Sequence, residues 1–206
     1  MILFLDVSPL RDKDVFERFF SSCKEYRKKK IEKLANEADR IRSLGAEILL
    51  AFGMMDHNNP DYDIAVSESG KPYDKNSDVH FSLSHSGMFA VAAFDECDIG
   101  IDIEIPRKVD LKLAKRFFSP EETAFLNASP FPEKQFLHTW TRKEALIKAY
   151  GKALPCTFPE LDTASDNVII DGISYGISTK SDDDFVISVA RKGEAKPIIC
   201  ENIMVM

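Results

Sequence analysis

Two carboxylates two residues apart, Asp102 and Glu104, interrupt an otherwise apolar run, Ile99-Gly100-Ile101-Asp102-Ile103-Glu104. Ile99, Ile101, Ile103 and Ile105 alternate with them, which predicts a β-strand carrying both acids on one face. Their Cα atoms would then lie about 7 Å apart, two strand rises. Desolvated like charges repel, so this face needs a cation or water. A hard divalent ion such as Mg²⁺ takes oxygen ligands and shares them with phosphate. An edge strand with a wet polar face is the alternative.

A second group lies in Trp140-Thr141-Arg142-Lys143-Glu144-Ala145-Leu146-Ile147-Lys148, within the longest helix expected, Pro132 to Tyr150. Glu144 and Lys148 are four apart and share a helix face. That spacing is also an ordinary surface pair, but the flanking Trp and aliphatic residues argue against full exposure. Gly151 stops the helix. A third group, Ser84-His85-Ser86-Gly87, joins two expected strands, Val79 to Ser84 and Ala90 to Phe94. Its hydroxyls and exposed amides could bind an oxyanion, and a plain turn is the bland reading. No G-x-S-x-G is present, so a hydrolase triad is weakly supported. Ser119-Pro120-Glu121-Glu122 reads as a capping box, which explains Glu122 structurally.

Charge adds a fourth feature. The chain has 206 residues, 44% of them hydrophobic, and a net charge of -7. That is enough apolar matter for a core, and the acidity disfavours a general nucleic-acid binder. Against this background Lys24, Arg27, Lys28, Lys29, Lys30 and Lys33, with Arg40 and Arg42, form a local basic segment. Clustered cations concentrate anions, although a solvated helix face is the commoner meaning of such a run. Cys23, Cys97, Cys156 and Cys200 are scattered without a C-x-x-C pair, so neither zinc nor a disulfide framework is expected. Free thiols and the lack of a basic leader fit a cytoplasmic protein, and no apolar run is long enough to span a membrane.

The positioning elements follow from periodicity. Strands are expected at 2–7 and 63–67, and near 168–170, 173–178, 185–190 and 198–200. Helices are expected over Asp12 to Phe20, Ala38 to Met55 and Leu111 to Phe118. Each half of the chain runs helices first and then antiparallel-looking strands.

Together these segments resemble the 4′-phosphopantetheinyl transferases of the surfactin-synthetase-activating type. Four motifs carry the resemblance: Gly70-Lys71-Pro72; Phe81-Ser82-Leu83-Ser84-His85-Ser86-Gly87; Ile99 to Glu104; and Trp140-x-x-Lys143-Glu144-Ala145-x-x-Lys148-x-x-Gly151. Arg116-Phe117-Phe118-Ser119 lies between the last two. The resemblance implies an α+β (α/β) fold of two similar halves with pseudo-two-fold symmetry, each an antiparallel sheet packed against helices. The halves would be 1–98, with the basic segment and nucleotide contacts, and 99–206, with the metal and catalytic residues.

It further implies transfer of phosphopantetheine from coenzyme A, the co-substrate, to a serine of an apo acyl or peptidyl carrier protein, with Mg²⁺ and release of adenosine 3′,5′-bisphosphate. Asp102, Glu104 and Glu144 would bind the metal, and Lys148 the phosphates. Lys71, Ser84 and His85 match coenzyme A contacts; Arg27, Lys30, Arg42 and Ser43 match the nucleotide end more loosely. Glu122, or a metal-bound water, would take the serine proton. A monomer is implied, with neither nucleic acid nor membrane as a partner. The partner would be acidic, so the helix with Lys112, Lys115 and Arg116 is expected to receive it, with Phe117 or Phe118 as an apolar anchor. A Mg²⁺-dependent phosphohydrolase and a silent coenzyme A- or carrier-binding module are the rivals. The family usually has Gly-x-Gly-Leu after the long helix; here it is Gly151-Lys152-Ala153-Leu154, which would be strained if Ala153 needed positive φ.

Overall fold

Apolar alternation and two long helices organise the computed structural model, which describes residues 1–205. In order come β1 (Ile2–Asp6), α1 (Lys13–Ser21), α2 (Glu25–Glu32), α3 (Glu37–Asp56), β2 (Ile64–Val66), β3 (Pro72–Asp74), β4 (His80–Ser86) and β5 (Phe89–Asp95). Then follow β6 (Ile99–Glu104), a 3-10 turn at Leu111–Leu113, α4 (Ala114–Phe117), α5 (Pro120–Ala128), α6 (Pro132–Tyr150), β7 (Asn167–Ile170), β8 (Ile173–Ser181), β9 (Val186–Lys192) and β10 (Glu201–Ile203).

Two four-stranded sheets result, ordered β10-β1-β5-β4 and β6-β9-β8-β7, while β2 and β3 form a separate hairpin. One topology is repeated. The strand before each long helix, β1 or β6, pairs antiparallel with the second strand of a later hairpin, β5 or β9. The final strand breaks the pattern. β10 crosses back and lies parallel to β1 in the first sheet. It sits a few residues later than the strand expected near 198–200, because its pairing partner is remote and leaves no local signal.

Cores form between these layers. Leu3, Leu44, Leu49, Phe81 and Phe94 pack α3 on the first sheet. Val91, Ile101, Ile103 and Ile187 fill the space between the sheets. Ala145, Leu146, Ala149, Tyr175 and Ala190 pack α6 on the second. The strand β5 is therefore buried on both faces, which explains its unbroken apolar run Phe89 to Phe94.

The β4–β5 hairpin differs from the sequence expectation. The strand runs on through His85 and Ser86, so the turn is only Gly87-Met88, with Gly87 at φ +57°. Pairing with β5 holds Ser84, His85 and Ser86 extended, an interaction that turn-forming residue types do not reveal. The capping box at Ser119 and Glu122 forms as expected. Among the described residues Asn58 and Asp171 are the only non-glycines at positive φ, so Ala153 carries no such strain. No helix among them is long and apolar enough to cross a membrane, and the four cysteines are free thiols.

Candidate active site at the seam between the sheets

Close packing of α6 on β6 makes the site. A Cβ at Gly100 would lie 2.0 Å from the Ala145 carbonyl oxygen and 2.4 Å from the Ala149 nitrogen, so only glycine lets the helix lie this near the strand. Glu144 and Lys148, on the helix face turned toward β6, are thereby brought to the polar side of that strand.

On the other flank β4 runs along β6 without forming a ladder with it. Alternate serines bridge the gap instead. Ser82 Oγ accepts from the Ile101 amide at 3.1 Å, and Ser86 Oγ from the Ile105 amide at 3.3 Å. Ser84 donates to Asp102 Oδ1 at 2.7 Å and Ser86 to Glu104 Oε2 at 2.8 Å. Period-two serine in Ser82-Leu83-Ser84-His85-Ser86 was the legible signal for this face.

Asp102 is only 7% exposed. Burial raises its carboxyl above the usual range, against the opposing pull of Lys148. Lys148 Nζ donates to Asp102 Oδ1 at 2.7 Å and to the Ile101 carbonyl at 3.1 Å. Glu144, half-buried, is likewise raised by burial and next by the charge of Asp102, with a smaller contribution from Glu104. Arg107 bonds Glu104 Oε1 at 3.1 Å. The three acids thus sense one another, but they do not close on one point: among the described residues no group of three or more carboxylates, imidazoles or thiols is set to hold a metal ion. Their chemistry still fits a hard cation. All donors are oxygens, and added positive charge would relieve the two that burial and repulsion disfavour.

The expected coenzyme A contacts are placed unequally. Ser84 is engaged with Asp102. His85 is exposed, yet partial desolvation and then Arg42 hold its imidazole below the usual range. Arg42 reaches the Gly87 carbonyl at 3.3 Å and pairs with Asp39. Lys30 points to solvent on α2. Arg27 turns inward, 2.6 Å from the buried Glu47 and 3.2 Å from the Ser43 carbonyl, so its charge is spent inside the protein. Lys71 is also directed inward, to the Ile99 and Ala149 carbonyls. A cleft of about 240 Å³ runs beside Lys148, lined by Pro72, Leu83, Ile147 and Lys152 among others.

Glu122 is not placed where a base must be. It is 1% exposed. Oε1 accepts from the amide and hydroxyl of Thr163, both at 2.7 Å, and Oε2 from the Ser119 amide at 2.7 Å. Lys143, wholly buried, lies 2.9 Å from Oε2 and donates to the Phe158 carbonyl at 2.9 Å and to that of Leu161. Both carboxylate oxygens are therefore committed to structure. The expected aromatic anchor is corrected too. Phe118 is buried against Phe136, with ring centroids 4.8 Å apart, and Phe117 stands edge-on to Trp140 and Phe158. Lys112, Leu113, Lys115 and Arg116 are the exposed residues there.

Lys148 thus joins one β-strand carbonyl and one strand carboxylate at the seam between two sheets of repeated topology. The chain matches the model of the 4′-phosphopantetheinyl transferase superfamily over residues 98–190. It is 35% identical over 144 residues to the 4′-phosphopantetheinyl transferase Sfp of Bacillus subtilis (strain 168), covering 67% of this chain and 64% of that one. To the transferase gsp of Aneurinibacillus migulanus it is 33% identical over 158 residues, covering 74% and 66%. The matched part therefore spans just under two thirds of these relatives' length. A holo-[acyl-carrier-protein] synthase structure from Thermotoga maritima aligns at 17% identity with a TM-score of 0.38, over 48% of this chain and 65% of that one.

Proposed function

We propose that the protein transfers the phosphopantetheine group of coenzyme A to a serine of an apo carrier protein, as the names of its relatives suggest. The observation that carries this reading is the meeting of Lys148 with Asp102 at the mouth of the cleft, with Glu104 and Glu144 beside them. A cation and three acids at one edge suit a pyrophosphate, which needs positive charge from both protein and metal.

Asp102, Glu104 and Glu144 would hold Mg²⁺, which when bound would neutralise charge on the pyrophosphate. Lys148 donates to a phosphate oxygen once it swings from Asp102. Arg42, His85 and Lys30 would meet the nucleotide end. The serine oxygen forms a bond to the β-phosphorus, the bond from that phosphorus to the bridging oxygen breaks, and 3′,5′-ADP leaves with the electron pair. The hydroxyl proton passes to water at the open seam rather than to Glu122. Placement and electrostatics supply most of the acceleration. The exposed Lys112, Lys115 and Arg116 around Leu113 supply the surface for an acidic carrier.

Incubation with coenzyme A, Mg²⁺ and a panel of apo carriers, read by intact-protein mass spectrometry, tests this reading. Gain of one phosphopantetheine on a carrier is expected. Release of 3′,5′-ADP without a carrier would mean hydrolysis instead, and tight binding of coenzyme A without either product would mean a silent module.

A further inference from the structure

We infer that Lys71 is a positioning residue: its side chain, with Ser69, caps the C-terminal end of α6 from the β2–β3 turn and so fixes the helix that carries Glu144 and Lys148. The last carbonyls of a helix lack partners within it. In α6 the Gly151 amide, at φ +64°, closes one of them by bonding the Ile147 carbonyl at 2.9 Å. Two of the remaining oxygens are met from a segment about 80 residues earlier in the chain. Lys71 Nζ donates to the Ala149 carbonyl at 3.3 Å, and Ser69 Oγ to the Gly151 carbonyl at 2.5 Å.

The same ammonium donates to the Ile99 carbonyl at 3.1 Å. Lys148 donates to the carbonyl two residues on, Ile101, also at 3.1 Å. The two lysines therefore tie α6 and β6 together at successive same-side carbonyls. Positive charge at a helix C-terminus is favourable, because the carbonyl ends carry the negative pole of the dipole.

The turn is built to present this side chain. Ser67 binds both main-chain ends of Lys71: its amide donates to the Lys71 carbonyl at 2.9 Å, and its hydroxyl accepts from the Lys71 amide at 3.1 Å. The lysine stem then passes so near Gly151 that a Cβ there would lie 2.9 Å from Lys71 Cδ. Gly151 is thus required twice, for its left-handed backbone and for the passage of the lysine. Burial holds the Lys71 amine below its ordinary range, with Asp98 opposing, as befits a group turned away from solvent. A direct contact to a coenzyme A phosphate would require the amine to leave both carbonyls.

This inference rests on the transferase reading only for its kinetic arm. Lys71→Met keeps the stem and removes the donors; Lys71→Arg keeps donors; Ser69→Ala removes the second cap. In ligand-free protein, hydrogen exchange of the amides at 148–151 should quicken about tenfold in Lys71→Met, the size of one charged hydrogen bond, while β8 stays protected. Ser69→Ala should move the same amides by less, and Lys71→Arg should restore part of the protection. In turnover, kcat should fall by a common factor with coenzyme A and with 3′-dephospho-coenzyme A, with KM little changed. Unaltered exchange at 148–151 would overturn the inference, as would a KM increase confined to coenzyme A. If no carrier is ever modified, the transferase reading fails while the exchange arm still decides the cap. Should Lys71→Met fail to fold, Ser69→Ala carries the same exchange test.

Discussion

Lys148 Nζ and Asp102 Oδ1 stand 2.7 Å apart across the α6–β6 contact, joining a helix lysine and a buried strand carboxylate that the sequence motifs both name. Because burial raises Asp102, its ionised form costs the fold stability. Asp102→Asn removes that cost, keeps an acceptor for Ser84 and leaves Lys148 able to reach water. Thermal unfolding should therefore stay near that of the parent, while transfer falls about 10³-fold or more, the scale for losing one electrostatic stabiliser. Melting curves and carrier-modification rates on one preparation check this.

The pair Glu122–Lys143 behaves differently, since neither member is exposed to water. Lys143→Met should cost about 3–5 kcal/mol by leaving an uncompensated buried charge, and adding Glu122→Leu should recover much of it. Denaturant titration of the two singles and the double measures the coupling. Glu122→Gln should leave kcat per folded molecule unchanged; a base at this position would give a loss of about 10²–10⁴-fold.

Acid should weaken the link between the sheets. Arg191 of β9 grips Asp95 of β5 at 3.0 and 3.2 Å. Burial opposes the charge there, but the Arg191 hydrogen bonds and the Glu96 amide outweigh it and hold Asp95 at about 2. A depressed carboxyl contributes stability above its unfolded value, near 4, and loses it as pH falls toward 2. Asp95→Asn should therefore cost about 1–2 kcal/mol at neutral pH after solvent screening. The gap to the parent should close between about pH 4 and pH 2. Urea midpoints across that range test the sign.

The exposed helix end offers a surface test. Lys112→Glu with Lys115→Glu should raise the KM for an acidic carrier and leave that for coenzyme A unchanged, with the effect shrinking at high salt. Leu113→Ala should act in the same direction. Phe118→Ala should instead lower stability by about 3–5 kcal/mol, as for a core aromatic. Steady-state kinetics at two ionic strengths, with melting curves alongside, separate the two classes.

Much of this site is legible in the sequence because it is local. Alternation shows the strand Ile99 to Glu104, helical spacing shows Glu144 and Lys148 on one face, and the capping box at Ser119 needs only four residues. What the sequence conceals is partnership across distance. Nothing near Lys71 announces that its amine turns inward to Ala149, and nothing near Arg27 points to Glu47 within α3. Phe117 and Phe118 resemble anchors until Trp140, Phe136 and Phe158 pack around them. The strand expected near 198–200 forms instead at Glu201–Ile203, and nothing in that stretch hints that it joins β1.

The central claim is that Asp102, Glu104 and Glu144 form a divalent-cation site beside Lys148. Its most direct test is Mn²⁺ titration of the full chain with coenzyme A present, followed by electron paramagnetic resonance. One ion per chain should bind in the parent, and Asp102→Asn should weaken binding by about 100-fold or more. Equal Mn²⁺ affinity in the two proteins would contradict the account.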